Sequence, residues 1–313
     1  MMCISMAFNT AIAQQYSDEY LVCPLSGHVE KCIEIKTEYY RGTFGRQYHQ
    51  DYDTSGNLTL EVERYLEGGF YGQTQNTYMQ GKMLHQYVFD RDSILTSKNV
   101  FFYKNDLVVR VDHVLITLDD RRESRIEDED FGAIRHMMQF KSPRTYDSLF
   151  YDEEGRLILK VSYDGMDHKL QEEWSYVYNT KGLKRKKSHI EYGNDTESWV
   201  YEYNENDQLE RVDYYHGRLI EFTLFEYDAQ NRLVNVKVKI PNGNNPQILK
   251  SWEYIYDGNN CIKKLWFGKE KEMLGTYELA YDSTGNWIEV KKFDGVGVLT
   301  MKWTREIWYR SNE

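Results

Sequence analysis

The sequence predicts an all-β protein: a long antiparallel meander of hairpin repeats forming one twisted or curled sheet, open or partly closed. Three observations carry this expectation. Tyr occurs 27 times and aromatics make up 15% of the 313 residues, although mean hydropathy is only −0.73. A short motif, Tyr-Asp-x-x-Gly-x-Leu, recurs at near-constant spacing. Aromatic residues alternate with charged ones ahead of most copies.

Composition sets the class first. Tyr, Trp, Val, Ile and Thr suit pleated, half-buried surfaces. Ala and Leu, which a helix-rich core needs, are sparse. A polar chain with many large rings predicts an extended sheet with a thin apolar face.

The motif sets the unit. Clean copies begin at Tyr52, Tyr151, Tyr203, Tyr227, Tyr256 and Tyr281, and degenerate ones at Phe89, Tyr103 and Tyr178. In each, the tyrosine ends a strand and Asp or Asn caps a turn by accepting local N–H bonds. Gly, Asn or Asp then takes the left-handed conformation that closes a loop of four or five residues. Leu, Ile or Trp begins the return strand. These aspartates are turn residues, not catalytic acids. From Tyr151 the steps are 27, 25, 24, 29 and 25 residues, room for two strands of about nine residues and two turns. Second turns fall at Gly193-Asn194-Asp195, His216-Gly217, Pro241–Pro246 and Asp294-Gly295.

Side chains two apart in a strand share a face. Trp174, Tyr176 and Tyr178 therefore form one row, Trp199, Tyr201 and Tyr203 another, and Trp252, Tyr254 and Tyr256 a third, with Glu202, Glu226 and Glu253 facing away. Val234, Val236, Val238 and Ile240 form an apolar stripe, as do Leu157, Leu159, Val161 and Tyr163. The rows supply burial, and any exposed part would offer flat platforms for a sugar ring or an extended partner. Trp266, Trp287, Trp303 and Trp308 fall outside the tidy alternation and are the candidate exposed, ligand-binding residues.

The chain divides as follows. Residues 1–13 carry no charge and end in Ala11-Ile12-Ala13, the pattern of a signal peptide cleavage site, with a truncated start. Residues 14–118 hold irregular β-repeats, 119–132 an acidic loop or insertion, and 133–313 the regular repeats. No later segment has the apolar length of a transmembrane helix. Cys23 and Cys32 are close enough for a disulfide if the chain turns at Pro24 and Gly27; the remaining cysteines show no framework or metal spacing.

Net charge is −11, which argues against nucleic acid as a partner. The one basic stretch, Lys184–Lys187, reads as a solvated strand edge. No His or Cys pair has metal-ligand spacing, and no nucleophile elbow or P-loop occurs, so neither metal nor cofactor is expected. The acidic run at 127–130 lacks ordered Ca²⁺-loop spacing.

Tyr-Asp-x-x-Gly-x-Leu at steps of about 25 resembles the YD repeat of Rhs-type proteins. Leu25-Ser26-Gly27-His28-Val29, with Glu38-Tyr39 after it, resembles exported repeat proteins of unknown function in Gram-negative bacteria. The resemblance implies a curled β-strip, in some relatives a shell around a toxin. This chain departs from those shells: it is shorter, lacks their self-cleaving core motif, and shows no toxin-like domain after Trp303–Tyr309. The expected function is a non-enzymatic scaffold in the periplasm, at the cell surface or outside the cell. It would bind a polysaccharide or another exported protein across an aromatic-bearing sheet. The alternatives are an accessory to a toxin or secretion system that pairs with a partner's edge strand, and a glycoside hydrolase built on a carboxylate pair.

Overall fold

The computed structural model describes residues 25, 28–39, 44–66, 68–116, 144–191, 195–243 and 245–310. The expected leader at 1–13, Cys23 and the stretch 119–132 lie outside the described residues. Among the described residues every regular element is a strand. In chain order these are β1 (Val29–Glu38), β2 (Phe44–Tyr52), β3 (Leu58–Tyr65), β4 (Phe70–Met79), β5 (Lys82–Phe89), β6 (Leu95–Lys104) and β7 (Leu107–Leu115). They continue as β8 (Thr145–Tyr151), β9 (Leu157–Asp164), β10 (Leu170–Tyr178), β11 (Lys184–Glu191), β12 (Asp195–Tyr203), β13 (Leu209–His216) and β14 (Arg218–Tyr227). The last six are β15 (Leu233–Ile240), β16 (Gln247–Asp257), β17 (Asn260–Phe267), β18 (Met273–Tyr281), β19 (Trp287–Asp294) and β20 (Leu299–Tyr309). Sequence neighbours pair antiparallel, which is the expected meander.

The strands fall into two compact units, one holding Trp174–Lys302 and the other Gly27–Glu173 with Trp303–Glu313. In the second, β1 lies between β2 and the end of β20. The Arg310 amide donates to the His28 carbonyl at 2.9 Å, and Arg305 Nε donates to Glu34 at 2.9 Å.

The even-numbered strands from β2 to β20 end at a tyrosine or one residue after it, including Tyr78 and Tyr103 in the N-terminal strands. The turns show why. At Asp282 the side chain accepts the Thr284 and Asn286 amides, both at 2.9 Å, while the Gly285 amide donates to the Asp282 carbonyl. Gly285 has φ +85°, where a Cβ would be strained, and Asn231 fills the same position at +64°. This is a type I turn closed by a left-handed residue and a bulge. The bulge sits at the tyrosine in hairpin after hairpin: Asp51/Tyr52, Phe150/Tyr151, Glu202/Tyr203, Glu226/Tyr227, Ile255/Tyr256 and Ala280/Tyr281. The Tyr256 copy differs from expectation. Asp257 stays in the ladder against Asn260, leaving a two-residue turn with Gly258 at φ +55°.

The bulge also splits the two apolar stripes. Leu157 pairs with Tyr151 but Leu159 pairs with Phe150, so Leu157 shares the tyrosine's face and Leu159 does not. Likewise Leu233 and Val236 face the same way as Tyr227 and Phe225, and Val234 is the bulged residue.

The ladder between β13 and β14 begins at Arg211, and that between β15 and β16 at Asn235. The carbonyls of Leu209 and Leu233 lie beyond those ladders. Tyr227 Oη donates to Leu209 at 2.9 Å and Tyr256 Oη to Leu233 at 2.8 Å. The same bond recurs from Tyr78 to Leu58, Tyr103 to Met83, Tyr151 to Val108, Tyr203 to Lys184 and Tyr281 to Cys261. Where the register is recorded, each acceptor is the residue paired with the preceding repeat's tyrosine. Each hydroxyl thus ties one repeat to the last.

In the 174–302 unit the core lies on this tyrosine face, with Tyr201, Leu209, Val212, Phe225, Val236, Val238 and Trp252 buried together. Glu202, Glu226 and Glu253 are exposed, as expected. Replacing Tyr227 with Phe removes the bond to Leu209 and keeps the ring. It should cost about 1 kcal/mol, against about 3–5 for Tyr227→Ala, read by urea unfolding. A Tyr227→Phe protein as stable as the parent would show that the hydroxyl ties contribute nothing.

Candidate functional site

In the 174–302 unit the meander lines up aromatic side chains from neighbouring strands. Trp174 on β10 stacks on His189 of β11 with centroids 3.9 Å apart and planes at 12°. Trp174 and Trp199 of β12 lie 6.1 Å apart at 22°, and Trp199 and Tyr214 of β13 lie 5.2 Å apart at 30°. Trp174 and Trp199 stand on strands two apart, about 9–10 Å at 4.8 Å per strand, so at 6.1 Å their rings lean toward one another, face against face. The flat platforms expected from the alternation do not form here, because each ring's face is taken by a neighbour.

Lys187 sits inside this row. It is 5% exposed, pairs across the ladder with Trp199, and places Nζ 3.9 Å from the Trp174 ring and 4.9 Å from the Trp199 ring. Burial, reinforced by Lys184 and partly offset by Glu197, pushes its ammonium down to about 8. The solvated edge expected for 184–187 is corrected at this residue. Arg185 and Lys186 are exposed, but β11 is an interior strand, and its alternation turns Lys187 onto the ring-bearing face. Burial also lowers Lys184, whose Nζ stands 5.1 Å from the Tyr176 ring.

The same pairing recurs along the unit. Lys250 stands 5.4 Å from the Trp252 ring. Lys264 reaches Trp252, Tyr254 and Tyr277 at 5.4–5.7 Å. Lys292 reaches Trp266 and Tyr277 at 5.9 and 5.3 Å. The registers Tyr254↔Lys264, Lys264↔Tyr277 and Tyr277↔Lys292 put these groups on one face. Sequence reasoning missed this set, since each lysine is an isolated residue until the register is known. The readable signal was a lysine at the core-facing phase of a strand that pairs with a ring-bearing one.

The four tryptophans expected to be exposed divide. Trp287 is 2% exposed and Trp303 7%, a correction to that expectation. Trp287 occupies the leucine position of its motif and pairs with Tyr281, which places it in the core. Trp303 is covered by Lys36, whose Nζ lies 5.2 Å from its ring. Trp266 is half-buried opposite Trp252, and its buried Nε1 has no hydrogen-bond partner. Trp308 alone of the four is exposed, with Lys31 over it at 5.5 Å. Cys32 is a fully buried free thiol, raised by burial to about 11, and its expected partner Cys23 is not among the described residues.

The other unit carries a row of polar side chains running strand to strand. Asn76 on β4 donates to the Leu58 carbonyl at 2.9 Å and accepts from Gln86 on β5 at 3.3 Å. Asn99 on β6 donates to Gln86 at 2.9 Å. His113 on β7 places Nδ1 2.8 Å from Asn99 and Nε2 3.3 Å from Asp147 on β8. Ser162 on β9 donates to Asp147 at 2.6 Å and lies 3.1 Å from Glu172 on β10. Lys160 meets the same aspartate at 2.9 Å. Burial would raise the Asp147 carboxyl, but hydrogen bonds from His113, Ser162 and Lys160, together with the Lys160 charge, hold it down at about 2. The Ser162 hydroxyl points at this carboxylate and not at His113, so His113 is not placed to activate it as a nucleophile. Nearby, a cavity of about 600 Å³ is lined by Glu61, Glu63, Tyr65, Tyr71 and Asp90. Two of its carboxylates are engaged: Gln50 donates to Glu61 at 2.7 Å and Arg46 to Glu63 at 2.5 Å.

No protein-family model matches the chain, and no curated protein matches it. Among solved structures, the TcdB2-TccC3-TEV structure is similar over 82% of this chain at 12% identity and a TM-score of 0.35. The chain spans 15% of that structure's chain. A porin-like protein from Bacteroides uniformis ATCC 8492 is similar over 90% of this chain and 98% of its own, at 11% identity and a TM-score of 0.37. A protein with unknown function from Bacteroides fragilis NCTC 9343 covers 46% of this chain at 15% identity, with a TM-score of 0.16. At identities this low no residue role carries over. No helix among the described residues is long and apolar enough to cross a membrane.

Two measurements check the electrostatics. The Asp147 carboxyl titrates at about 2 when folded, below its ordinary value near 4. Its ionised form therefore stabilises the fold by about 2 kcal/mol above pH 4, and that contribution is lost as pH falls from about 4 to about 2. Asp147→Asn should flatten the stability–pH curve in that window; an unchanged slope refutes the assignment. Lys187 has the opposite sign. Its folded pKa is depressed, so the charge is a cost at pH 7 that fades as pH rises from about 8 to about 10.5. Lys187→Met should raise stability at pH 7 by about 1 kcal/mol, the ring contacts offsetting part of the gain. A stability loss would mean that the ring contacts dominate.

Proposed function

We propose that this chain is a non-enzymatic, exported β-repeat scaffold that binds a polysaccharide at the half-buried ring row of Trp174, Trp199 and Tyr214 in its 174–302 unit. The observation that carries the reading is the stack of Trp174, His189 and Trp199 with Lys187 held against both indoles. A buried cation kept where an apolar side chain would pack at less cost is a mark of a functional site. The rings of Trp174, His189 and Trp199 are half-buried, so part of the stack stays open to solvent. Partly open aromatic surface with a few polar groups beside it suits a chain of hydroxyls and ring oxygens.

Three further features support the reading. The Tyr-Asp hairpin with its left-handed fourth residue favours assigning the units to the YD-repeat type. The uncharged segment ending in Ala11-Ile12-Ala13 favours export to the periplasm or beyond. A scaffold also suits the carboxylates, since the motif aspartates cap turns and Asp147 is engaged by Lys160, Ser162 and His113.

The test is a glycan screen with the purified chain, followed by titration of the best ligand. Trp199→Ala should weaken binding about tenfold or more, as loss of a central aromatic contact does, while the β circular-dichroism signal is kept. If no polysaccharide binds saturably, the proposal fails.

A further inference from the structure

We infer that the 174–302 unit docks on an anionic phospholipid surface through one edge of its sheet, where apolar hairpin tips stand among cations that make no ion pair. The inference goes beyond the polysaccharide reading and does not rest on it.

Successive turns of an antiparallel meander lie on opposite edges. One edge of this unit carries the Asn204, Asp228 and Asp282 turns. The other carries the turns that join β13 to β14, β15 to β16, β17 to β18 and β19 to β20. The last of these, at Asp294, has the build of the Asp282 turn. Asp294 accepts the Val296 amide at 3.0 Å and the Val298 amide at 2.9 Å, and Gly297 has φ +87°. At the two equivalent positions Asp282 holds Thr284 and Asn286, and Asp228 holds Gln230 and Arg232. Polar residues thus satisfy this geometry, as is usual in turns, yet the Asp294 turn exposes Val296 at 85% and Val298 at 58%. The fold does not require these valines.

The neighbouring tips extend the apolar edge. Met273 fills the leucine position of the Gly268 turn but is exposed, whereas Leu209 and Trp287 at that position are buried. Leu274, Leu249 and Ile220 are the residues that the ladders skip at the starts of β18, β16 and β14. All three are exposed. At 4.8 Å per strand, successive tips stand about 9–10 Å apart.

Charge separates the two edges. The first is acidic through Glu205, Asp207, Asp228, Asp257 and Asp282. The apolar edge carries Arg218, Lys239, Lys269 and Lys271, which form no ion pair among the described residues. Of the carboxylates beside them, Asp294 caps its own turn and Glu272 accepts the Glu270 amide at 2.7 Å. A net charge of −11 disfavours an anionic surface for the chain as a whole, so this basic edge, with an acidic one opposite, also fixes the orientation of approach.

Separate prongs suit lipid better than a folded partner. A stable protein interface covers about 800 Å² of continuous surface per side, whereas headgroups and acyl chains fill the space between tips. Apolar side chains at the headgroup–acyl boundary and cations at the phosphates together make interfacial binding.

The experiment floats the full chain with vesicles of phosphatidylcholine alone, or containing about 30 mol % phosphatidylglycerol. The mixed vesicles should bind about tenfold or more tightly than phosphatidylcholine, as several cations near an anionic surface imply. That binding should weaken several-fold as NaCl rises from about 0.05 to about 0.5 M. Val296→Asp with Val298→Asp should weaken it about tenfold or more, since insertion is replaced by repulsion. Lys269→Gln with Lys271→Gln should weaken binding to the mixed vesicles and leave any binding to phosphatidylcholine unchanged. The lipid and salt comparisons need no variant, so they stand even if a substitution impairs folding. Equal binding to both vesicles, or binding to neither, overturns the inference. Undiminished binding of the valine variant does so too. Self-association of the chain that Val296→Asp with Val298→Asp abolishes, without vesicle binding, would assign the tips to a second copy and also overturn it. The outcome of the glycan screen leaves these results unaffected.

Discussion

The rest of the structure depends on one hydrogen bond, repeated: a tyrosine hydroxyl to the backbone carbonyl at the start of an earlier return strand. A bulge at the end of each Tyr-terminated strand lets the chain turn tightly, and the following ladder then begins two residues late. The carbonyl left outside that ladder would be poorly satisfied next to buried rings. The next repeat's tyrosine reaches it, with Tyr227 at Leu209 and Tyr256 at Leu233. A thin sheet with little apolar volume is thereby stitched through polar tips on apolar rings, which explains how a chain of mean hydropathy −0.73 carries 27 tyrosines.

The stitch also shapes the functional surface. Because every tyrosine must lie on the face of the orphaned carbonyl, all the rows of the 174–302 unit share that face, and the residues paired with them across the ladder share it too. Lysines at those positions are drawn over rings: Lys187 between two indoles, Lys264 beside Tyr254 and Tyr277. In the other unit the same cross-strand logic produces a polar row instead, from Asn76 through His113 and Asp147 to Ser162. One repeat geometry can therefore present cations among rings or a hydrogen-bonded polar track, depending only on which side chains occupy the inward phase.

Much of the fold was readable because its causes are local. Asp282 and its equivalents cap turns with their own side chains, and Gly285 or Asn231 supplies the left-handed residue, so Tyr-Asp-x-x-Gly marks a hairpin wherever it occurs. The stripes were less readable. A bulge changes which residues share a face, so Leu157 and Leu159 parted company although their spacing said otherwise. Trp287 was read as exposed because it broke the alternation, whereas it fills the leucine slot of its own motif and is buried.

The sequence by itself determined that the chain is all β, where its hairpins turn, and which aspartates serve those turns, because each of these follows from residues within a few positions of one another. Only the tertiary structure decided where the lysines lie, that Trp174, His189 and Trp199 stack face against face, and that Asp147 is gripped by His113, Lys160 and Ser162. Those outcomes depend on cross-strand register. Register is set by bulges and by the tyrosine ties between repeats, which join residues about twenty positions apart, well outside the local motif.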